Sequence, residues 1–139
     1  MIFCSKVLKL NTLSGVDIID LNAEVKNLVA ESKVRNGIVM VFTKHTTTGI
    51  KIAENETRLL VDMKLYLEKT APLNGVYLHD NIHLRQCPAD ERINGHAHIK
   101  AMELNSNENI PIINSELVLG KWQSILFFGI TAFIGLQGA

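Results

Sequence analysis

Short runs of apolar, often β-branched residues recur along the chain, and they constrain its fold more than any other feature. Residues 37–43 (GIVMVFT) form a continuous apolar run, which predicts a central, buried β-strand. Residues 5–10 and 49–53 alternate polar and apolar side chains, a pattern typical of strands with one buried face. Extended segments are also predicted over residues 16–19, 110–113, 117–119, 122–128 and 130–136.

Helical spacing of apolar residues occurs between these groups of strands. The first helix is predicted around residues 21–29, with Asp20 or Asn22 as its N-cap. A second helix is predicted over residues 55–69 and a short third one over residues 96–104. Because strands outnumber helices and 139 residues are the size of one domain, we predict a single α+β domain, residues 1–139, with a largely antiparallel sheet.

Composition excludes several functional classes. Lysine and arginine together equal aspartate and glutamate at 14 each, so bulk charge gives no reason to expect nucleic-acid binding. Cys4 and Cys87 lie too far apart for a zinc-ribbon spacing and are interpreted as reduced thiols. Lysines interrupt the apolar N-terminus, which argues against a signal peptide, and the apolar run 125–136 is too short to cross a bilayer. We therefore expect a cytoplasmic protein without a membrane partner.

Four of the five histidines fall within residues 79–98. His96 and His98 would project from the same face of an extended segment, whereas His79 and His83 have helical spacing. Neutral imidazoles are common zinc ligands, so the cluster is a candidate metal site. The alternative is that these histidines cap helices or satisfy buried carbonyls. Three acidic residues are candidates to orient a ligand histidine, namely Asp80, Asp90 and Glu91.

The fifth histidine, His45, precedes three threonines and a glycine at the end of the predicted strand 37–43. Hydroxyl and backbone N–H groups around such a turn can hold a phosphate or carboxylate, although threonines are also ordinary strand residues. The candidate anion-binding residues are Thr46, Thr47 and Thr48. Glu54 and Asn55 follow as candidates for acid–base work or for orienting a ligand, or as first-turn or N-cap residues of the next helix.

Several of these pieces, in this order and separation, resemble the YjbQ-like family, also called the secondary thiamine-phosphate synthase family. The resemblance covers nearly the whole chain. The matching pieces are Phe42-Thr43-Lys44-His45-Thr46-Thr47-Thr48, Ala53-Glu54-Asn55-Glu56, His79-Asp80, Asn94-Gly95-His96-Ala97-His98-Ile99-Lys100 and Leu119-Gly120-Lys121-Trp122-Gln123.

The resemblance implies a layered antiparallel sandwich with helices packed on one side, assembled as a homotrimer. It also implies a polar site near the subunit boundaries, with His45, His79 and His98 as ligands of a divalent metal, zinc being the expected ion. His96 belongs to a form of the motif that part of the family lacks. Glu54 and Asn55 match the family's Glu-Asn pair. The implied activity is a low thiamine-phosphate synthase activity on phosphorylated precursors.

The same residues also suit a non-catalytic module that binds a metal or a phosphorylated metabolite, or a metal-assisted phosphate-ester hydrolase. The chain departs from the family pattern after Trp122-Gln123. Family members continue there through an acidic residue and a Gly-Pro-Arg-like turn, whereas Phe127-Phe128-Gly129-Ile130 runs into an apolar end. An arginine contact to phosphate in that region therefore cannot be transferred to this chain.

Overall fold

Two three-stranded antiparallel sheets and three helices make up the fold in a computed structural model of the chain, which describes residues 1–131. The elements in chain order are β1 (Gly15–Asp20), α1 (Asn22–Ser32), β2 (Gly37–Phe42), β3 (Thr48–Ala53), α2 (Thr57–Thr70), 3₁₀ turns at Leu78–Asp80 and Ile82–Leu84, α3 (Gly95–Ala101), β4 (Asn107–Ile113), β5 (Glu116–Leu117) and β6 (Ser124–Thr131).

The first sheet has the strand order β1-β6-β3, with both neighbours antiparallel to β6. As the central strand, β6 buries side chains on both faces, because successive residues of a strand point to opposite sides. Ile125 and Phe127 face the core between the two sheets. Leu126 and Phe128 face the opposite way and pack against Leu67 of α2. This sheet is therefore covered on both sides.

The second sheet has the order β2-β4-β5, so β2 is an edge strand and not the central, buried strand that its sequence predicted. Its inward residues Val39 and Val41 pack against the inter-sheet core. Its outward residues Ile38, Met40 and Phe42 are exposed. The run is apolar on both faces, yet within the described part of the chain no element covers the outer one. We call this face the outer face of β2.

The helices differ in the layer that they cover. Helix α2 packs on the outer side of the first sheet, and α3 contacts α2 and β6. Helix α1 places Val25 in the inter-sheet core beside Ile50 and Ile110, which come from different sheets. The predicted α+β class with layered antiparallel sheets is confirmed, with α1 contributing to the inner layer.

The N-caps differ from those predicted for the first two helices. Leu21 is the N-cap of α1, while the Asp20 carboxylate accepts a hydrogen bond from the N–H of Asn22 (2.8 Å). At α2, Glu56 is the N-cap and accepts from the N–H groups of Arg58 and Leu59 (3.0 and 2.8 Å). These two hydrogen bonds lower the pKa of Glu56, because they favour the charged carboxylate.

Two strand predictions, for residues 5–10 and for the break between residues 128 and 130, differ from the structure. Residues 5–10 form no strand, and only Leu8 and Leu10 pack against the inter-sheet core. The expected break near Gly129 is wrong, because β6 runs through that residue to Thr131. Gly129 faces Thr12 so closely that an added Cβ would clash, so its small size serves packing and not a turn. The remainder of the predicted strand 130–136 lies outside the described residues.

Candidate metal and anion site

His79 and His98 lie together although nineteen positions separate them in the sequence. His79 is in the 3₁₀ turn Leu78–Asp80 and His98 is in α3, and their ring centroids are 4.6 Å apart at an interplanar angle of 66°. The Asp80 carboxylate joins the two elements by accepting a hydrogen bond from the N–H of Gly95 (2.8 Å). A Cβ at Gly95 would come within 2.6 Å of the Tyr77 Cβ, so only glycine permits this approach.

Three buried polar atoms in this region have no hydrogen-bond partner. They are Nε2 of His79, Nε2 of His96 and Oδ1 of Asn94. All three belong to the 3₁₀ turn and the start of α3, which contact each other. Native proteins satisfy nearly all buried polar groups, so such atoms mark positions where water, an ion or a ligand atom binds. The prediction that His96 and His98 share one face of an extended segment is wrong, because both lie in α3, where side chains two positions apart point to different sides of the helix. We call His79, Asn94, His96 and His98 the histidine cluster.

The environments of His96 and His98 favour their neutral imidazoles. Burial, followed by electrostatic interaction with the nearby His79 and Arg85 side chains, lowers the pKa of His98. Burial, followed by the charge of Lys100, lowers the pKa of His96. A metal ion binds the neutral form of histidine, so His98 is in the protonation state that a metal ligand requires near neutral pH.

These pKa shifts predict how stability depends on pH in metal-free protein. The ordinary histidine pKa is 6.5, and the folded chain holds both groups below it. As the pH falls below 6.5, the unfolded chain therefore binds protons that the folded chain does not, and the free energy of unfolding decreases. Urea unfolding between about pH 7 and pH 5, with a chelator present, measures this decrease.

The charged neighbours of these two groups are His79, Asp80, Arg85, Glu91, Glu68 and Lys100. The lowered pKa of Glu68 affects stability below 4.5, outside this window. Replacing both His96 and His98 with glutamine should flatten the dependence, whereas replacing the exposed His83 with glutamine should not. A free energy of unfolding that is constant or rises toward pH 5 would contradict the assignment.

The pair of imidazoles fits part of a zinc site. Two imidazoles on one tetrahedral zinc, with Zn–N bonds of about 2.0–2.1 Å, place their ring centroids roughly 5 Å apart. The observed 4.6 Å between His79 and His98 is close to this separation. However, residues 1–131 contain no group of three or more His, Cys, Asp or Glu side chains that could hold a metal ion. Within one chain, only the His79–His98 half of the predicted site is formed.

His45 lies elsewhere, in the loop between β2 and β3. Its side chain is exposed and lines a groove of about 700 Å³, together with Lys6 and Lys9 of the N-terminal segment. The Thr48 hydroxyl donates to the carbonyl oxygen of His45 (3.0 Å) and contacts the Thr43 hydroxyl (2.6 Å). Because a hydroxyl has one hydrogen, Thr43 donates to Thr48 in the second contact. The loop is thus closed by its own hydrogen bonds.

Of the three threonines predicted to hold an anion, Thr48 has no hydroxyl donor left, because its hydroxyl hydrogen bonds to the carbonyl oxygen of His45. Thr46 is exposed and Thr47 is half-buried, so their part in anion binding stays a prediction. Asn55 donates through its side chain to the Asp20 carboxylate (2.7 Å), which joins the end of β3 to the end of β1. Glu54 is exposed beside it. The acid–base assignment of Glu54 and Asn55 likewise stays a prediction, and the observed hydrogen bond of Asn55 is a structural one.

Sequence reasoning missed an ionic network beside the cluster. Lys100 is only 2% exposed, and its ammonium donates to the Glu68 carboxylate (2.6 Å) and contacts Nδ1 of His96 (3.2 Å). The other Glu68 oxygen accepts from the N–H of Leu73 (2.7 Å). Arg85 donates to the carbonyl oxygen of His79 (2.9 Å). The spacing of His96 and Lys100, four residues apart on a short helix, is the available signal for this network.

Comparison with known proteins identifies the family of this chain. A family model described as "UPF0047 protein YjbQ-like" matches residues 6–132. The chain belongs to the YjbQ-like family. The UPF0047 protein of Methanothermobacter thermautotrophicus is 39% identical over 120 residues, which cover 86% of this chain and 78% of that protein. The UPF0047 protein of Archaeoglobus fulgidus is 38% identical over 120 residues and covers 86% of each.

Solved structures agree with this YjbQ-like assignment. A YjbQ/UPF0047-family protein of Clostridium acetobutylicum, described as uncharacterised, superposes with a TM-score of 0.75 at 38% identity and covers 91% of this chain and 88% of that one. A hypothetical protein of Aeropyrum pernix has a TM-score of 0.78 at 24% identity, covering 88% and 84%, and shows the fold alone. The family is thus confirmed, and it is one of uncharacterised function. Among residues 1–131, no helix is long and apolar enough to span a membrane.

Proposed function

We propose that this YjbQ-like chain binds a divalent metal, zinc being the expected ion, and a phosphorylated small molecule at the histidine cluster. The observation that carries the proposal is the set of buried, unpartnered atoms of His79, Asn94 and His96 beside the His79–His98 pair. Burying polar groups without partners costs free energy, so a fold that keeps several of them together retains them for a ligand.

His79 and His98 would hold the metal, and Arg85 lies close enough to His98 for its charge to lower the pKa of that histidine. When bound, zinc would supply Lewis-acid polarisation of a diphosphate oxygen. The Arg85 guanidinium is a suitable partner for phosphate oxygens, because its planar donors match their geometry. Its hydrogen bond to the carbonyl of His79 holds it beside the cluster.

A third ligand would come from a second copy of the chain. His45 follows directly after the outer face of β2, which exposes Ile38, Met40 and Phe42. On the other side of the proposed contact, His79 is preceded by Val76 and Leu78, which are 98% and 84% exposed. Contact between these two different apolar surfaces is heterologous, and a ring of three such contacts closes as a homotrimer. Each boundary would then combine His79 and His98 of one copy with His45 of the next.

Ile38→Glu tests this assembly. A buried carboxylate at the centre of an apolar contact is unfavourable, so we expect the mass in solution to fall from three chains to one. Zinc content should fall with it, because the ligand from the neighbouring copy is lost. Val61→Glu on α2 is the matched control, since Val61 is also an exposed apolar residue, and it should leave both measurements unchanged. A monomeric wild-type chain would refute the trimer.

The activity that the family resemblance favours is a weak transferase of the thiamine-phosphate synthase type, joining a hydroxymethylpyrimidine diphosphate to a thiazole phosphate. The alternative is a binding module without turnover. The hydrogen bond between Asn55 and Asp20 favours this alternative, because it engages a residue that was assigned to acid–base work.

The deciding experiment uses purified chain free of any affinity tag. Elemental analysis gives the metal content, and calorimetry with inorganic pyrophosphate measures binding to the zinc-loaded protein. Incubation with both precursors then separates the two functions, because a transferase forms thiamine phosphate over repeated turnovers, whereas a binding module takes up ligand stoichiometrically. Release of phosphate without a thiazole acceptor would instead indicate a hydrolase. A chain that binds neither zinc nor pyrophosphate would refute the proposal.

A further inference from the structure

The buried Lys100 side chain contacts both Glu68 and His96. A lysine ammonium has three hydrogen-bond donors and no acceptor. Lys100 is 2% exposed, and its Nζ forms a salt bridge with the Glu68 carboxylate at 2.6 Å. The atom that faces it at 3.2 Å, Nδ1 of His96, must therefore be an acceptor.

The contact with Lys100 determines which ring nitrogen of His96 carries the proton. A neutral histidine carries its single N–H on one nitrogen and a lone pair on the other, and the hydrogen bond made by one nitrogen sets the state of the other. With Nδ1 accepting from Lys100, the proton resides on Nε2. That Nε2 is buried and unpartnered, in a residue only 3% exposed.

We infer that the Lys100–Glu68 ion pair holds His96 in the Nε2-protonated tautomer, so that His96 serves the cluster as a hydrogen-bond donor to an anionic oxygen and not as a metal ligand. The anionic oxygen would be that of a phosphate group, and this part of the inference rests on the proposed function. A metal ligand needs a lone pair on the coordinating nitrogen, and neither nitrogen of His96 offers one while Lys100 is in place.

The tautomer can be measured without any ligand. Two-bond ¹H–¹⁵N correlation spectra of the wild-type chain distinguish the protonated ring nitrogen from the unprotonated one. We expect Nε2–H for His96, and a predominant Nδ1–H form would overturn the inference. Lys100→Met should raise the Nδ1–H population, whereas Lys69→Met, an exposed lysine next to Glu68 on α2, should not. The wild-type spectrum decides the assignment even if Lys100→Met fails to fold.

The second measurement separates a donor from a metal ligand. In His96→Gln the amide N–H takes the approximate place of Nε2–H, so pyrophosphate affinity should stay within about threefold of the wild type and zinc content should not change. His96→Ala removes the donor and should weaken pyrophosphate binding roughly tenfold or more, with zinc retained. Loss of zinc in His96→Gln to the level of His98→Ala would identify His96 as a ligand and overturn the inference.

The two proposals fail in different ways. Absence of zinc and pyrophosphate binding in the wild type would refute the proposed site, and with it the anion-binding part of this inference. The Nε2–H tautomer would still stand in that case, because it depends only on Lys100 and Glu68.

Discussion

Replacing His98 with alanine should lower bound zinc from about one ion per chain to less than about a tenth of that value. The reason is geometric, because His98 supplies one of the two imidazoles that are paired within a single chain. With His79 as the sole remaining ligand from that chain, coordination at each boundary becomes incomplete. Elemental analysis of the tag-free protein measures the change, and pyrophosphate affinity should fall in parallel.

His83→Ala is the matched control for this prediction. His83 belongs to the same segment but lies in the second 3₁₀ turn with an exposed side chain. It should leave zinc content and pyrophosphate binding at wild-type levels. Equal zinc in His98→Ala and the wild type, with both folded, would place the metal elsewhere or show that none is specifically bound. Equal loss in both variants would point to non-specific binding by the histidine-rich segment.

Gly95→Ala should damage both the stability and the site. A Cβ at this position would lie 2.6 Å from the Tyr77 Cβ and 2.9 Å from the Asp80 carboxylate oxygen that accepts from the Gly95 N–H. The start of α3 must then move away from the 3₁₀ turn, which separates His98 from His79. We expect the free energy of unfolding to fall by about 1–3 kcal/mol. We also expect zinc binding to fall at least tenfold, measured by competition with a chelator.

Gly120→Ala provides the comparison for Gly95→Ala. A Cβ there would meet only the Gln123 side chain, whose amide oxygen is nearest at 3.3 Å. That oxygen accepts a hydrogen bond from the Gly120 N–H (2.8 Å), and a shift of a few tenths of an ångström relieves the contact while keeping the bond. Its effect on urea unfolding should remain within about 0.5 kcal/mol, as for ordinary surface changes. If Gly95→Ala were as stable as Gly120→Ala and still bound zinc normally, the close approach of Gly95 to Tyr77 would have no functional importance.

The local elements were largely predictable because they depend on local patterns. Alternation of polar and apolar residues placed β3, and helical spacing of apolar residues placed α2. The exposure of β2 was not predictable, because an apolar run has the same appearance whether a second layer or another copy of the chain covers it. Separate strands were predicted on either side of Gly129, because the close approach of Thr12 that explains this glycine depends on tertiary packing.

The sequence predicted which residues belong to the candidate site, but not all of the contacts that they make. The concentration of histidines in residues 79–98 and the pieces that match the family were visible in the sequence, and both led to His79 and His98. The contact of His96 with Lys100 could not be predicted from the sequence. It depends on the ion pair of Lys100 with Glu68, which lies on another helix and meets Lys100 only in the folded chain. The same holds for Asn55, which binds Asp20 thirty-five positions away.

The sequence by itself determined the α+β class, the family and the residues that could bind a metal or an anion, because periodicity and motif order are properties of the chain. Only the tertiary structure decided which of those residues meet. It paired His79 with His98, placed His45 at the end of an exposed apolar face, and oriented His96 toward a buried ammonium. The physical reason is that distances between side chains depend on the packing of sheets and helices, which local spacing does not specify.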